Sequence, residues 1–241
     1  MENRFSVPRM LNFMRRQAAL NFSSLMIAAG AVFGALLVIS LLVGYFGPQN
    51  IPNLINVYLV TFFICGLVFT ARIFAELHIP QKSYAWLTLP VSTGEKFWGS
   101  WLLSSPVFIL LFFAVCSFLY FIACITGNSI DAYTQMFSKS VGKAIATFVV
   151  IQSIFFLGAV YFRNNNFMKT IFALFLIATV LSVYSGTLTW LFWNGQGQMN
   201  LNINSSDMIG NSGRIISFAF WFLLGPFMLL VSYFRLKERQ V

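Results

Sequence analysis

Six long apolar segments, nearly free of charge, constrain this 241-residue chain more than any other feature. They lie near residues 23–46, 54–75, 101–125, 144–162, 167–193 and 215–234. A helix of about 20 apolar residues crosses the hydrocarbon core of a bilayer. Within lipid, an isolated segment satisfies its backbone hydrogen bonds only as a helix. The sequence therefore predicts an all-α, polytopic membrane protein with six transmembrane helices.

The composition excludes a water-soluble globular domain. Hydrophobic residues make up 59% of the chain and charged residues 9%, whereas a typical soluble domain has about 25% charged residues. The surface of such a chain would expose apolar patches larger than soluble monomers tolerate. Intrinsic disorder is excluded too, because it requires low hydrophobicity.

The basic residues are divided unequally between the two sides of the predicted bundle. If both termini lie on one side, that side holds Arg4, Arg9, Arg15, Arg16, Arg72, Lys82, Lys96, Arg163, Lys169, Arg235, Lys237 and Arg239, and the other holds Lys139, Lys143 and Arg214. Lys and Arg collect in cytoplasmic loops, so we expect both termini inside. The same division accounts for the net charge of +9 through topology, and we expect no nucleic-acid partner.

Residues 6–22 predict an amphipathic helix ahead of the first span. Ser6 can cap this helix, and Pro8 suits its first turn. One face repeats apolar residues, and a basic stripe lies opposite. The apolar face comprises Val7, Met10, Leu11, Met14 and Ala18, and the stripe comprises Arg9, Asn12 and Arg16. Such a helix lies in the membrane interface; the alternative is a basic leader that only sets the topology.

The loop between spans 2 and 3 contains a short aromatic segment between two prolines. Pro80 and Pro90 limit residues 81–89 to a short helix or turn. This segment is expected to expose three large side chains, namely Tyr84, Trp86 and Leu87. Exposed aromatic side chains either anchor a protein partner or lie in the interfacial belt of the membrane. The sequence leaves both interpretations open.

A capping box follows the aromatic segment. Ser92 and Glu95 have the spacing at which each side chain bonds the backbone of the other residue. A helix beginning there would continue into span 3.

The segment from Phe74 to Phe97 resembles the permease subunits of bacterial ABC exporters, the six-span class that exports drugs, lipids, peptides and polysaccharides. The similar elements are the run Leu-Pro-Val-Ser-Thr-Gly-Glu-Lys at 89–96, the basic amphipathic N-terminus and the six-span layout. The resemblance implies that residues 1–241 form a single transmembrane permease domain in the bacterial cytoplasmic (inner) membrane. The motif covers one loop only, whereas the layout covers the chain.

The family's mechanism implies partners and roles for particular residues. Two permease subunits, identical or paralogous, form the translocation pathway in the lipid bilayer, and separate ABC ATPase subunits bind beneath them. The N-terminal helix and the loop between spans 2 and 3 contact those ATPases. The coupling residues implied are Tyr84, Trp86 and Leu87 as anchors, with Glu95 and Lys96 setting the geometry of the following helix.

Small residues suggest sites of close helix packing. Gly30 and Gly34 form a G-x-x-x-G pair in span 1, and Ser182 and Gly186 form a similar pair in span 5. Small residues let helices approach closely in lipid. They serve either packing within one chain or a dimer seam, and the resemblance favours the seam because the related exporters pair through spans 1 and 5.

Two further features interrupt the spans. Ser105-Pro106 and Gly225-Pro226 predict kinks in spans 3 and 6. Residues 194–213, rich in Asn, Ser and Gly, lack the clear helical insertion that larger relatives carry between spans 5 and 6.

Catalytic chemistry has little support in the sequence. A G-x-x-x-x-G-K-[ST] motif is missing, so ATP hydrolysis is expected on a partner chain. The single histidine, His78, excludes a two-histidine zinc motif and is expected to be a solvated loop residue. The cysteines Cys65, Cys116 and Cys124 are expected to be small buried apolar residues. We expect no catalytic, cofactor-binding or metal-binding residues.

Transport and non-transport functions both fit a chain of this kind. The centres of the spans lack Asp, Glu, Lys and Arg, which argues against a proton-coupled carrier. The alternative to a permease is a non-transport integral membrane protein that acts as an assembly or signalling partner.

Overall fold

The computed structural model describes residues 5–20, 22–163, 165–194 and 218–238, and these residues contain no β-strand. The α-helices are α1 (Val7–Leu20), α2 (Phe22–Phe46), α3 (Ile51–Arg72), α4 (Ala75–His78), α5 (Pro80–Leu87), α6 (Thr93–Leu102), α7 (Phe108–Thr126), α8 (Lys139–Tyr161), α9 (Asn166–Asn194) and α10 (Gly225–Glu238). Short 3-10 helices occupy Pro48–Asn50 and Ile130–Phe137, and π-helical segments occupy Leu103–Val107 and Ala219–Leu224.

Within the described residues, six helical stretches are long and apolar enough to cross a bilayer. They are Phe22–Phe46, Pro48–Arg72, Thr93–Thr126, Ile130–Tyr161, Asn166–Leu188 and Phe220–Glu238. The prediction of six helices long and apolar enough to span a membrane is thereby confirmed, and the described residues form the helical bundle of a multi-pass membrane protein. Residues 215–217 of the predicted sixth span, and the loop at 195–213, lie outside the described residues.

Buried side chains form two clusters. The Tyr120 cluster comprises Leu36, Ile51, Leu54, Tyr58, Phe62, Phe112, Cys116, Leu119, Tyr120, Ala123, Cys124, Met136 and Phe148. The Trp86 cluster comprises Phe13, Ile73, Phe74, Leu77, Trp86, Phe97, Phe156, Ala159, Val160 and Leu236. The first half of α3 belongs to the Tyr120 cluster, and Ile73 and Phe74, just after the end of α3, belong to the Trp86 cluster. The two clusters therefore lie at opposite ends of the bundle.

Close helix packing in the Tyr120 cluster depends on glycine. A Cβ at Gly66 would lie 2.5 Å from the ring of Phe148, and a Cβ at Gly127 would lie 2.5 Å from Ile51. No larger residue fits at either position without displacing its neighbour. Cys116 and Cys124 are buried in the same cluster and Cys65 is half-buried, all as free thiols. The interpretation as small buried apolar residues is confirmed for Cys116 and Cys124, whereas Cys65 is only partly buried.

The two predicted kink sites, Ser105-Pro106 and Gly225-Pro226, coincide with a change from α-helix to π-helix. Pro106 lies inside the π-helical segment Leu103–Val107, and a second π-helical segment ends immediately before Gly225 and Pro226. Proline lacks a backbone N–H, so it breaks the regular hydrogen-bond ladder of a helix. Helix α6 therefore leads into α7 through an irregular turn at the predicted position.

Candidate functional site

The N-terminus of α6 is fixed by the predicted capping box. The Ser92 hydroxyl accepts from the Glu95 backbone N–H at 3.3 Å, and the Ser92 backbone N–H donates to Glu95 Oε2 at 2.8 Å. These bonds satisfy two of the backbone donors that a helix start leaves unpaired. The sequence prediction of a helix start at this position is confirmed.

The second oxygen of Glu95 binds the start of α1. The Ser6 backbone N–H donates to Glu95 Oε1 at 2.6 Å, and Arg9 Nη2 lies 3.2 Å from the same oxygen. Glu95 is fully buried, and a buried carboxylate is stable only when it is paired and hydrogen-bonded. One carboxylate therefore joins α1 to α6.

Helix α1 packs along α6. Met10, Phe13 and Gln17 are its buried residues. A Cβ at Gly99 would lie 3.1 Å from Phe13 and 3.4 Å from Met10, so the bare backbone of α6 at this point gives α1 room to approach. Toward the far end of α1, Gln17 Nε2 donates to the Ile73 carbonyl at 2.6 Å.

The apolar face predicted for α1 divides into two parts. Met10 packs against the protein, whereas Val7 and Leu11 are exposed. Arg16 reaches back to the protein, with Nη1 3.7 Å from Glu76 Oε2. A helix at the predicted position is confirmed, but its buried face is centred on Met10, Phe13 and Gln17 and only partly matches the predicted apolar face.

Lys96 points from α6 toward α5. It is 2% exposed, and its Nζ lies 4.6 Å from the centroid of the Trp86 ring. A desolvated ammonium over an indole face is a favourable cation–π arrangement. Glu95 and Lys96, which are neighbours in sequence, thus link the same helix start to α1 and to α5.

The expectation that Trp86 is exposed was wrong. Trp86 is 1% exposed, and its ring meets the edges of Phe13 and Phe74 with centroids 6.3 and 6.4 Å apart. Tyr84, two residues earlier, is 79% exposed. Helix α5 turns these two side chains to opposite sides, because residues two positions apart on a helix do not share a face. The side chain of Leu87 lies outside the described part of the structure.

The expectation that His78 is solvated was also wrong. His78 is buried, and its Nε2 lies 2.8 Å from the Ala159 carbonyl oxygen. A carbonyl only accepts, so Nε2 carries the proton in this hydrogen bond. Asn166 Nδ2 donates to the same carbonyl at 3.3 Å. The loop carrying α4 and α5 is therefore fastened to the end of α8.

The small residues of spans 1 and 5 lie on open faces. Gly30, Gly34 and Gly186 have nothing within 4 Å of an added Cβ among the described atoms, and Ser182 is exposed. The bilayer-crossing window of the fifth span has 0% of its residues buried, and that of the first has 11%. Within the described residues, these positions do not serve packing between helices of one chain.

The site joins helices through charged and aromatic side chains. Among the described residues, no three His, Cys, Asp or Glu side chains form a group that could hold a metal ion. The site instead consists of one exposed aromatic side chain on a short helix, a buried ring beneath it, and a pair of buried charges that connect three helices. Sequence reasoning missed Phe13, Gln17 and the bond from the Ser6 backbone N–H to Glu95. The i, i+3, i+7 spacing of Met10, Phe13 and Gln17 is the helical signal that could have found the packing face.

No protein family, curated protein or solved structure matches this chain.

Proposed function

We propose that this protein is the transmembrane permease subunit of an ATP-driven ABC exporter, coupled to a separate ATPase subunit. The observation that carries the proposal is the difference in exposure between the two faces of α5. Tyr84 projects from one face into solvent, and Trp86 on the other face is buried in the Trp86 cluster. An exposed aromatic side chain on a helix that is fixed by buried contacts suits a pocket in a partner. A flexible loop would lose more entropy on binding.

A contiguous route leads from Tyr84 into the membrane. Helix α5 carries Trp86, which contacts Lys96 at the start of α6. The helical stretch that begins at Thr93 continues to Thr126, well beyond the length needed to cross a bilayer. A displacement of α5 would thus be transmitted to span 3, and through Glu95 to α1.

The proposed location is the bacterial cytoplasmic membrane, with both termini and the α4–α6 loop inside. The charge asymmetry supports this orientation. On α1, Val7 and Leu11 are exposed, and exposed apolar side chains on a basic amphipathic helix suit the lipid interface. The chain lacks a P-loop motif, so its source of energy is a partner.

We further propose that the subunit works as a dimer, with an identical or a paralogous copy, and that spans 1 and 5 form the seam. The open faces of Gly30, Gly34, Ser182 and Gly186 support this arrangement. Small residues permit the close backbone contact on which helix association in lipid depends.

Gly30→Leu is expected to abolish dimer formation and to leave the fold of each subunit intact. The new side chain has open space within the subunit, but it would block close approach of a second helix. Chemical cross-linking in native-lipid nanodiscs measures the dimer. Gly142→Leu is the matched control, because Gly142 has equally open surroundings on α8. A dimer that survives Gly30→Leu, or that is lost equally in the control, would contradict the proposed seam.

The direct test of function is a photo-activatable cross-linker at position 84. On this proposal it captures a chain that carries nucleotide-binding motifs.

A further inference from the structure

Between the two apolar clusters lies a buried polar layer. In the Thr93–Thr126 stretch, Phe97 belongs to the Trp86 cluster and Phe112 to the Tyr120 cluster. Helix α8 passes through the same two clusters, with Phe148 in one and Phe156 in the other. Between these positions lie the fully buried Ser100, Ser104 and Gln152.

The hydrogen bonds of this layer are incomplete. Gln152 Nε2 donates to Ser104 Oγ at 2.8 Å, and Ser104 Oγ lies 3.3 Å from the Trp101 carbonyl. Gln152 Oε1 and Ser100 Oγ are buried without a hydrogen-bond partner among the described residues. Ser100 and Ser104, four residues apart, lie on the same side of the helix.

The polar layer adjoins the point where the helix changes its winding. The π-helical segment Leu103–Val107 contains Pro106, which has no N–H to give to a carbonyl one turn earlier. Segments of π-helix interrupt the regular ladder and occur often at functional positions. Unpaired side-chain atoms and a disturbed backbone ladder therefore coincide at one level of the bundle.

We propose that Ser100, Ser104 and Gln152 bind water inside the transmembrane bundle, and that this water loosens the π-helical turn of span 3. The chemistry of the group fits water, since it combines a free amide oxygen with hydroxyls that donate and accept and carries no formal charge. Buried waters usually satisfy such groups through two to four hydrogen bonds. The inference goes beyond the proposed function, since it concerns the folded chain alone.

Hydrogen–deuterium exchange of the full chain in lipid nanodiscs tests this inference. We expect the backbone amides within 103–107, all but that of Pro106, to exchange about tenfold or more faster than those at 112–119 of the same helical stretch, because local opening sets exchange rates. Gln152→Leu and Ser100→Ala each remove a polar group from the layer. Each should slow exchange at 103–107 toward the rate at 112–119.

Thr179→Val is the matched control, because Thr179 is exposed on α9 and bonds only its own helix at the Phe175 carbonyl. It should leave exchange at 103–107 unchanged. Equal exchange at 103–107 and 112–119 in the wild-type chain would overturn the inference without any variant. Fast exchange that persists in both Gln152→Leu and Ser100→Ala would also overturn it. If Gln152→Leu does not fold, the wild-type comparison and Ser100→Ala decide the question.

Discussion

Glu95→Ala is expected to detach α1 from α6 and to destabilise the fold by about 3 kcal/mol, because two part-buried backbone donors lose their acceptor and each such loss costs roughly 1–3 kcal/mol. The donors affected are the backbone N–H groups of Ser6 and Ser92. Arg9 also loses its ion pair with Glu95, but its side chain is 43% exposed. Water can therefore solvate the guanidinium, and that ion pair accounts for under about 1 kcal/mol.

Thermal unfolding and limited trypsin digestion of the purified protein measure this effect. Release of α1 from α6 lets its backbone unfold into the protease, so cleavage after Arg15 and Arg16 should accelerate as the unfolding midpoint falls. Glu238→Ala is the control, because its ion pair with Arg235 lies on the surface and exposed pairs contribute little. If Glu95→Ala shifted the midpoint no more than Glu238→Ala does, the carboxylate would not join these helices.

Trp86→Ala and Tyr84→Ala are expected to have opposite effects on stability and on partner binding. Trp86 is buried, and truncation of a buried aromatic residue costs about 3–5 kcal/mol. Tyr84 is exposed, so its truncation should change stability by less than about 0.5 kcal/mol. Because Tyr84 is the proposed anchor, however, its truncation to alanine should weaken association with the nucleotide-binding partner by about tenfold or more, as for interface hot spots.

Unfolding midpoints and the ratio of co-purified partner measure the two effects separately. Phe118→Ala is the control, because Phe118 is an exposed aromatic residue on α7, away from the loop. It should change neither partner association nor, appreciably, the stability of the subunit. Retention of the partner by Tyr84→Ala at the wild-type ratio would contradict the anchoring role, whereas a stable Trp86→Ala would contradict the supporting role of Trp86.

The helical layout could be predicted because each span is a local property of the chain. Hydropathy over about 20 residues identifies a span, and the capping box Ser92–Glu95 is complete within four residues. Proline positions likewise indicated where α5 begins and where span 3 becomes irregular. None of these predictions needed knowledge of which helices are neighbours.

The contacts of the site could not be predicted in this way. The Ser6–Glu95 bond joins residues 89 positions apart, and the His78–Ala159 bond spans 81 positions. Trp86 was expected to be exposed because it lies in a short aromatic segment between two prolines of a loop, yet α1 and the residues after α3 cover it through Phe13 and Phe74. Burial of a loop side chain depends on helices packed from elsewhere in the chain, which local patterns do not reveal.

Photo-cross-linking from position 84 in living cells tests the proposed coupling to an ATPase most directly. A photoreactive phenylalanine analogue in place of Tyr84 should yield one dominant adduct with a chain that contains a G-x-x-x-x-G-K-[ST] motif. The same analogue at Tyr45, which is 74% exposed near the opposite end of the bundle, should not capture that chain. An adduct at position 84 that contains only lipid, a second copy of this protein or a chain without nucleotide-binding motifs would contradict the proposal.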